Sequence, residues 1–525
     1  MAWRQPSDQE GIVKTRLPLV AALSAVVLLL AGCTTPTPEV SLPPITVPTT
    51  VETPDVTDDL KPFYTQSVEW ESCGTRILCG SVLVPTNWDD PSAGSLSLAV
   101  AYRAADIAKP LGSIIFNPGG PGASGYDWIV NSVDYLGTKN LRSKFNIVGF
   151  DPRGVGESEP RVKCFDAKKT DSMLYEDNGF PLGSPQDIAA SRNILGDFAK
   201  ACLKNTGPAM AYLDTVSAAK DLDVLRAVMG ESHLDYLGFS YGSLLGQTYA
   251  ALFPKTVNRM VIDGVIDPTV IDSEQSVIQL KGFDLALRNY LADCLSSSDC
   301  PFQGTVSQAL NKIKSFMRSL ETAPIPTKDG RQLNAWSANT GLIMPLYSED
   351  YWPQLSQAFV EAFDGDGSTF IELADTYNDR DSTGKYLTNL MEANIAISCL
   401  DSRQPSDSAS MAKQNARMLA ASPTLGRYWQ FGALTCESWP FPVAKHPSDF
   451  SAKGSKPILV VGTTGDPATP YSQAVSVANH ILSNGHLVTY NGEGHTAYGR
   501  SNECVANSVD NYFIKGLVPE SDPDC

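Results

Sequence analysis

Asp235-Tyr236-Leu237-Gly238-Phe239-Ser240-Tyr241-Gly242-Ser243 joins a short apolar run to a serine flanked by glycines. Asp235–Gly238 has the length and composition of a buried strand, and Tyr241–Phe253 has helical periodicity. A G-x-S-x-G motif between a strand and a helix puts its serine on a tight, strained turn. Side chains at the two flanking positions would collide there, which is why both are glycine. Five residues of this kind also arise by chance in a chain of this size. The flanking strand and helix, and a second glycine-rich turn upstream, give the motif its weight.

That upstream turn is Asn117-Pro118-Gly119-Gly120-Pro121-Gly122, directly after the strand Ser113–Phe116. Acyl transfer needs N–H donors aimed at the oxyanion of a tetrahedral intermediate. One donor is expected to be the amide of Tyr241, next to the serine, and the other that of Gly120, with Gly119 the alternative. Pro118 and Pro121 carry no N–H. The acid should follow a late strand, and Pro457–Val461 leads into Gly462-Thr463-Thr464-Gly465-Asp466-Pro467. Asp466 is therefore the expected acid, Asp263 the runner-up. The base should come last. His495 in Asn491-Gly492-Glu493-Gly494-His495-Thr496 fits that order, while His480 and His486 sit in a helical stretch and at a strand start. Ser240, Asp466 and His495 form the expected triad, in which the acid orients the imidazole and the imidazole takes the serine proton.

Working outward, strand signals at Ser81–Pro85, Leu96–Tyr102, Asn146–Phe150, Arg259–Asp263 and Leu487–Tyr490 alternate with helical stretches such as Val216–Met229. That alternation implies a mostly parallel sheet covered on both faces. Between residues 267 and 444 helical periods dominate, as in Ser276–Leu295, Val306–Leu320, Trp352–Phe363 and Ser410–Ala421. The fold class expected is α/β, an α/β-hydrolase core (60–266 and 445–525) interrupted by a helical cap (267–444).

The chain has 525 residues and a formal charge of −18. That acidity argues against nucleic acid as a partner and against charge-driven attachment to anionic lipid. Arg4, Lys14 and Arg16 precede an apolar run, Leu17–Ala31, that ends in Leu30-Ala31-Gly32-Cys33. Residues 1–32 read as an export signal. The ending resembles a bacterial lipobox, which implies lipidation of Cys33 and a membrane anchor. Residues 33–59, rich in Pro and Thr, read as a tether. Removing Cys33 from the 11 cysteines leaves ten, and export would place them where disulfides form. Neighbour pairing is the simplest connectivity: Cys73/Cys79, Cys164/Cys202, Cys294/Cys300, Cys399/Cys436 and Cys504/Cys525. Other pairings stay open at this point. Neither zinc-ligand spacing nor a cofactor motif is present, so no metal and no cofactor is expected.

Several segments resemble the tripeptidyl aminopeptidases of actinobacteria, secreted relatives of the prolyl iminopeptidases. They are Asp221-Leu222-Asp223, Leu237–Ser243, Leu252-Phe253-Pro254, Val261-Ile262-Asp263-Gly264, the turn 117–122, Phe150–Ser158, Ser398-Cys399-Leu400-Asp401 and Thr435–Pro440, with the Asp466 and His495 segments. The resemblance runs from about residue 70 to the end and is strongest to lipid-anchored or secreted mycobacterial members. It implies release of short peptides from free N-termini of peptides or proteins. Such a substrate brings an ammonium that needs a carboxylate, and Asp401 and Glu437 are the expected pair, since a Cys399–Cys436 bond would bring them together. Arg153 is expected to hold its loop and Thr469 to bond within the acid loop. A cell-envelope lipase or esterase would use the same triad, and a non-catalytic solute-binding lipoprotein would share the tether and an α/β domain.

Overall fold

The computed structural model describes residues 42–49 and 55–525. The expected signal segment and Cys33 lie outside the described residues. Among the described residues eleven strands form: β1 (Glu71–Gly74), β2 (Ile77–Asn87), β3 (Asp90–Arg103), β4 (Ser113–Asn117), β5 (Asn146–Phe150), β6 (Leu234–Phe239), β7 (Val257–Asp263), β8 (Ile325–Pro326), β9 (Gln332–Leu333), β10 (Ile458–Gly465) and β11 (Gly485–Glu493). Nine make one sheet in the order β1-β2-β3-β5-β4-β6-β7-β10-β11. From β5 to β11 every neighbouring pair is parallel, while β1, β2 and β3 add an antiparallel edge.

Both faces of the parallel part are buried, and successive residues alternate between them. Leu237 and Val461 pack on one side with Phe116, Ile129 and Phe513, whereas Tyr236 and Val460 pack on the other with Leu222, Leu225 and Leu245. A strand buried on both faces reads as a continuous apolar run, which is how these strands stand out in the sequence. The parallel register lines up the strand ends. Asn117 pairs with Gly238, Phe239 with Asp263, Val461 with Asp263, and Gly465 with Glu493. The chemistry-bearing loops therefore leave the sheet along its carboxyl edge, where open α/β sheets place their sites.

Helices Asp272–Cys294, Val306–Ser319, Ala335–Ile343, Trp352–Phe363 and Ser368–Tyr377 share a second hydrophobic core. The expected cap at 267–444 differs from the structure at its far end. Helix Leu390–Asp401 buries Ala393, Ala396, Ile397 and Leu400 in the core of the sheet domain, and so does Trp439. Conversely, Tyr175 from before the elbow joins the cap core. Helix Pro185–Thr206, unread in the sequence, packs beside Leu434–Glu437.

The five neighbouring cysteine pairs are bonded, Cys73–Cys79, Cys164–Cys202, Cys294–Cys300, Cys399–Cys436 and Cys504–Cys525. A full set of structural disulfides marks an extracytoplasmic protein. No helix among the described residues is long and apolar enough to cross a membrane. The described piece of the tether lies on the domain: Arg76 donates to the Pro43 carbonyl at 2.7 Å, and Ile45 packs against the sheet core.

Candidate active site

Ser240 sits between β6 and helix Tyr241–Leu252 with φ 56° and ψ −123°, a conformation that costs free energy for any residue with a Cβ. Its amide donates to the Asp263 carbonyl at 2.9 Å, so β7 holds the turn in place. The flanking glycines are sterically required. A Cβ on Gly238 would lie 2.4 Å from the Gly242 carbonyl oxygen, and one on Gly242 2.6 Å from that of Asn117. The turn 117–122 lies directly on the elbow, since a Cβ on Gly119 would meet the Phe239 carbonyl at 2.6 Å and Ser240 Cβ at 2.8 Å.

This packing separates the two candidate oxyanion donors. The Gly119 amide is already given to Asn117 Oδ1 at 3.0 Å. The amides of Gly120 and Tyr241 have no acceptor among the described residues. Gly120 and Ser240 line the same cavity. Tyr241 is also the first residue of its helix, where amides point outward and the helix dipole favours negative charge.

Asp466 and His495 face each other. Nδ1 of His495 lies 2.9 Å from both carboxylate oxygens of Asp466. The carboxylate also accepts from the amides of Ala468, Thr469 and Thr496 and from the Thr469 hydroxyl at 3.0 Å. Thr469 Oγ1 is 3.3 Å from His495 Nδ1 as well, so it ties the acid loop to the imidazole. With Nδ1 held by the acid, Nε2 is left as the basic nitrogen. His495 and Ser240 line one cavity of about 790 Å³, and the Ser240 hydroxyl has no hydrogen-bond partner among the described residues.

Asp263 has a different task from the one it would have as acid. It is fully buried and accepts from the amides of Ala497 and Tyr498, so it braces the loop that carries His495. Burial pushes its carboxyl up to about 6 against those amide bonds. From the cap side, the Tyr347 carbonyl accepts the His495 amide at 2.9 Å, and the two rings meet edge to face.

The two acids expected to meet a substrate ammonium are not in the cavity. Asp401 is spent on Thr215, accepting its amide at 2.8 Å and its hydroxyl at 2.5 Å. Glu437 accepts from Arg192 at 2.8 Å and from the Ser406 hydroxyl at 3.0 Å. The Cys399–Cys436 bond does join their segments, but neither acid lines the cavity. The carboxylates that do line the cavity are Glu349, Asp350 and Glu493. Glu493 ends β11 and accepts from Asn289 at 2.8 Å, while its second oxygen has no partner among the described residues. Burial pushes Glu493 up, the Asn289 bond opposes this, and the charge of Glu349 adds to the rise. Glu493 stood in the quoted histidine loop, two residues before the base. Glu349 and Asp350 carried no signal, because the pairing of cap and loop is long-range.

Arg153, expected to hold its loop, is fully buried and grips Asp221 through two nitrogens at 2.7 and 2.6 Å. No group of residues able to hold a metal ion occurs among the described residues.

A parallel sheet with a strained serine elbow and an acid–histidine pair at its carboxyl edge defines a serine hydrolase of the α/β-hydrolase superfamily. Residues 422–525 match the family model described as TAP-like protein. "Serine protease Hip1" of Mycobacterium tuberculosis is 35% identical, covering 89% of this chain and 92% of that protein. "Carboxylesterase B" of the same species is 33% identical over 97% of this chain and 98% of its own length. "Tripeptidyl aminopeptidase" of Streptomyces lividans is 27% identical, over 87% and 86%. The chain belongs to the family of the mycobacterial serine protease Hip1.

Proposed function

We propose that this protein is an envelope aminopeptidase that releases short peptides, tripeptides among them, from free N-termini. The observation that carries the reading is one cavity holding Ser240 and His495 together with three carboxylates, Glu349, Asp350 and Glu493. A substrate ammonium placed against those acids would fix how many residues reach Ser240. His495 Nε2 takes the Ser240 proton as the hydroxyl attacks the carbonyl. The amides of Gly120 and Tyr241 receive the oxyanion, and Asp466 stabilises the imidazolium. His495 then protonates the leaving amine, and water repeats the sequence on the acyl-enzyme. Lipidation of Cys33 would keep the enzyme at the outer face of the membrane, and its substrates would be peptides or protein N-termini found there.

A second reading, ester hydrolysis, is favoured by the relative named as a carboxylesterase. A panel of tripeptidyl anilides, N-acetylated tripeptidyl anilides and short acyl esters separates the two. The aminopeptidase reading expects cleavage of the free tripeptidyl anilide well above its acetylated form. Equal rates on both, with faster ester turnover, would favour the esterase. For the anchor, Cys33→Ser should move the protein from the detergent to the aqueous phase, and continued detergent partitioning would remove lipidation at Cys33.

A further inference from the structure

Asp401 is removed from the cavity, yet its partners lead straight back to the elbow. Its two carboxylate oxygens hold the Thr215 amide at 2.8 Å and the Thr215 hydroxyl at 2.5 Å. Thr215 Oγ1 is in turn 2.6 Å from the phenol of Tyr241, whose ring is buried. The chemistry gives this chain a direction. With Asp401 ionised, its carboxylate only accepts, and the one hydroxyl proton of Thr215 goes to it. The Tyr241 phenol then donates to Thr215. Tyr241 immediately follows Ser240, and its own amide is the second oxyanion donor.

The helix that ends in Asp401 also touches the first donor. Its residues Leu390 and Asn394 line the catalytic cavity. Asn394 donates to the Pro121 carbonyl at 3.1 Å. A Cβ on Gly122 would lie 2.7 Å from the Leu390 carbonyl and 3.1 Å from the Asn394 amide. One helix thus packs against the Gly120 turn with its first half and reaches Tyr241 through Thr215 with its last residue. It is fixed in turn by the Cys399–Cys436 bond and by the Leu400 carbonyl, which accepts from Ala444 at 2.8 Å.

We propose that Asp401 is a positioning residue of the reaction: through the hydroxyls of Thr215 and Tyr241 it holds the Tyr241 amide at the spacing from Gly120 that the oxyanion requires. Helix Leu390–Asp401 is the strut that spans the two donors. The inference rests on Ser240 as nucleophile and on Tyr241 as donor. It does not depend on whether the acyl group is a peptide or an ester, because both pass through the same oxyanion.

The test uses Tyr241→Phe, Thr215→Val and Asp401→Asn in the full-length protein. Each is measured on a tripeptidyl anilide and on a short acyl ester, with rates expressed per site titrated by a fluorophosphonate. Loss of a donor outright costs roughly 10²–10³-fold in kcat. Loosening one is expected to cost about 10-fold in kcat, with KM nearly unchanged. The Ki of a peptidyl trifluoromethyl ketone, whose adduct carries the oxyanion, should rise by the same factor. Because the three groups form one chain, the Tyr241→Phe/Asp401→Asn double variant should lose little more than either single variant. A purely structural role lowers the titratable fraction and leaves kcat per site and Ki alone, and that result overturns the proposal. Tyr241→Phe, which removes one oxygen, gives the answer even if Asp401→Asn does not fold. Absence of fluorophosphonate labelling at Ser240 in the native protein would instead defeat the hydrolase reading and the proposal with it. Labelling with ester turnover but no peptide cleavage would remove only the peptidase reading, and the ester rates would still decide the role of Asp401.

Discussion

Ser240 pays for its exposure at the sheet edge with a positive φ, and Gly238 and Gly242 make that conformation possible. Ser240→Ala and His495→Ala should each lower kcat by roughly 10⁴-fold or more while leaving the melting temperature within a degree or two. Turnover near the native rate in either variant would remove the triad. If Glu493 meets the substrate ammonium as proposed, Glu493→Gln should reduce kcat/KM on free tripeptidyl anilides about 10-fold and leave a simple ester unaffected. Equal losses on both would mean that Glu493 supports the histidine loop and does not meet substrate. These residues were unequally legible. Ser240, Asp466 and His495 announce themselves through local chemistry, a glycine-flanked turn and loops after strands. A disulfide joins the segments of Asp401 and Glu437, but a bond between cysteines does not say whether the neighbouring acids reach the cavity. Their hydrogen bonds to Thr215, Arg192 and Ser406 are what decide it.

Among elements, the parallel strands were easy to find, because burial on both faces makes each a short apolar run. Their ends were less clear. β10 continues to Gly465, beyond the apolar residues, since its pairing with β11 carries on through polar positions. Helix Pro185–Thr206 is hard to read in the sequence although Ser184 caps it and Pro185 opens it, because its apolar face is weak. Helix Leu390–Asp401 was hidden differently: its sequence fits any buried helix, and only the structure shows it serving the sheet domain. The link from β2 to helix Thr215–Val228 and the loop after β5 runs through Arg153. It holds Asp221 with two bonds, and the carbonyls of Pro85 and Tyr212 accept from it. Trp88 donates to Asp221 as well. Arg153→Met would leave the buried Asp221 carboxylate without its cation and should cost about 3–5 kcal/mol in urea unfolding. A change below about 1 kcal/mol would show that the pair contributes little.

For the whole molecule, the −18 charge and several buried acids act in the same direction. Burial pushes Asp151 and Asp263 up to about 6 and Asp401 up to about 7. An unfolded aspartate titrates near about 3.9, so between roughly pH 4 and 7 the native state binds more protons than the unfolded chain. The stability from these groups is fully present below the unfolded value and is lost as pH rises through 6 and 7. Asp366, held down to about 2 by the Ser368 hydroxyl and then by Lys328, works in the opposite sense only at still lower pH. The melting temperature should therefore be higher at pH 5 than at pH 8. A rise from pH 5 to 8 would contradict this account of the buried acids. The disulfides fall in both parts of the chain: Cys294–Cys300 lies within the cap, while Cys399–Cys436 fixes helix Leu390–Asp401 in the sheet domain.

The central claim, a serine peptidase that counts residues from a free amine, is tested most directly by mass spectrometry of the products from a mixed peptide library, half of it N-acetylated. Short N-terminal fragments, tripeptides foremost, are expected from the free half only, and none from the Ser240→Ala protein. Internal cleavage at equal rates in both halves, or no peptide products at all, would contradict it.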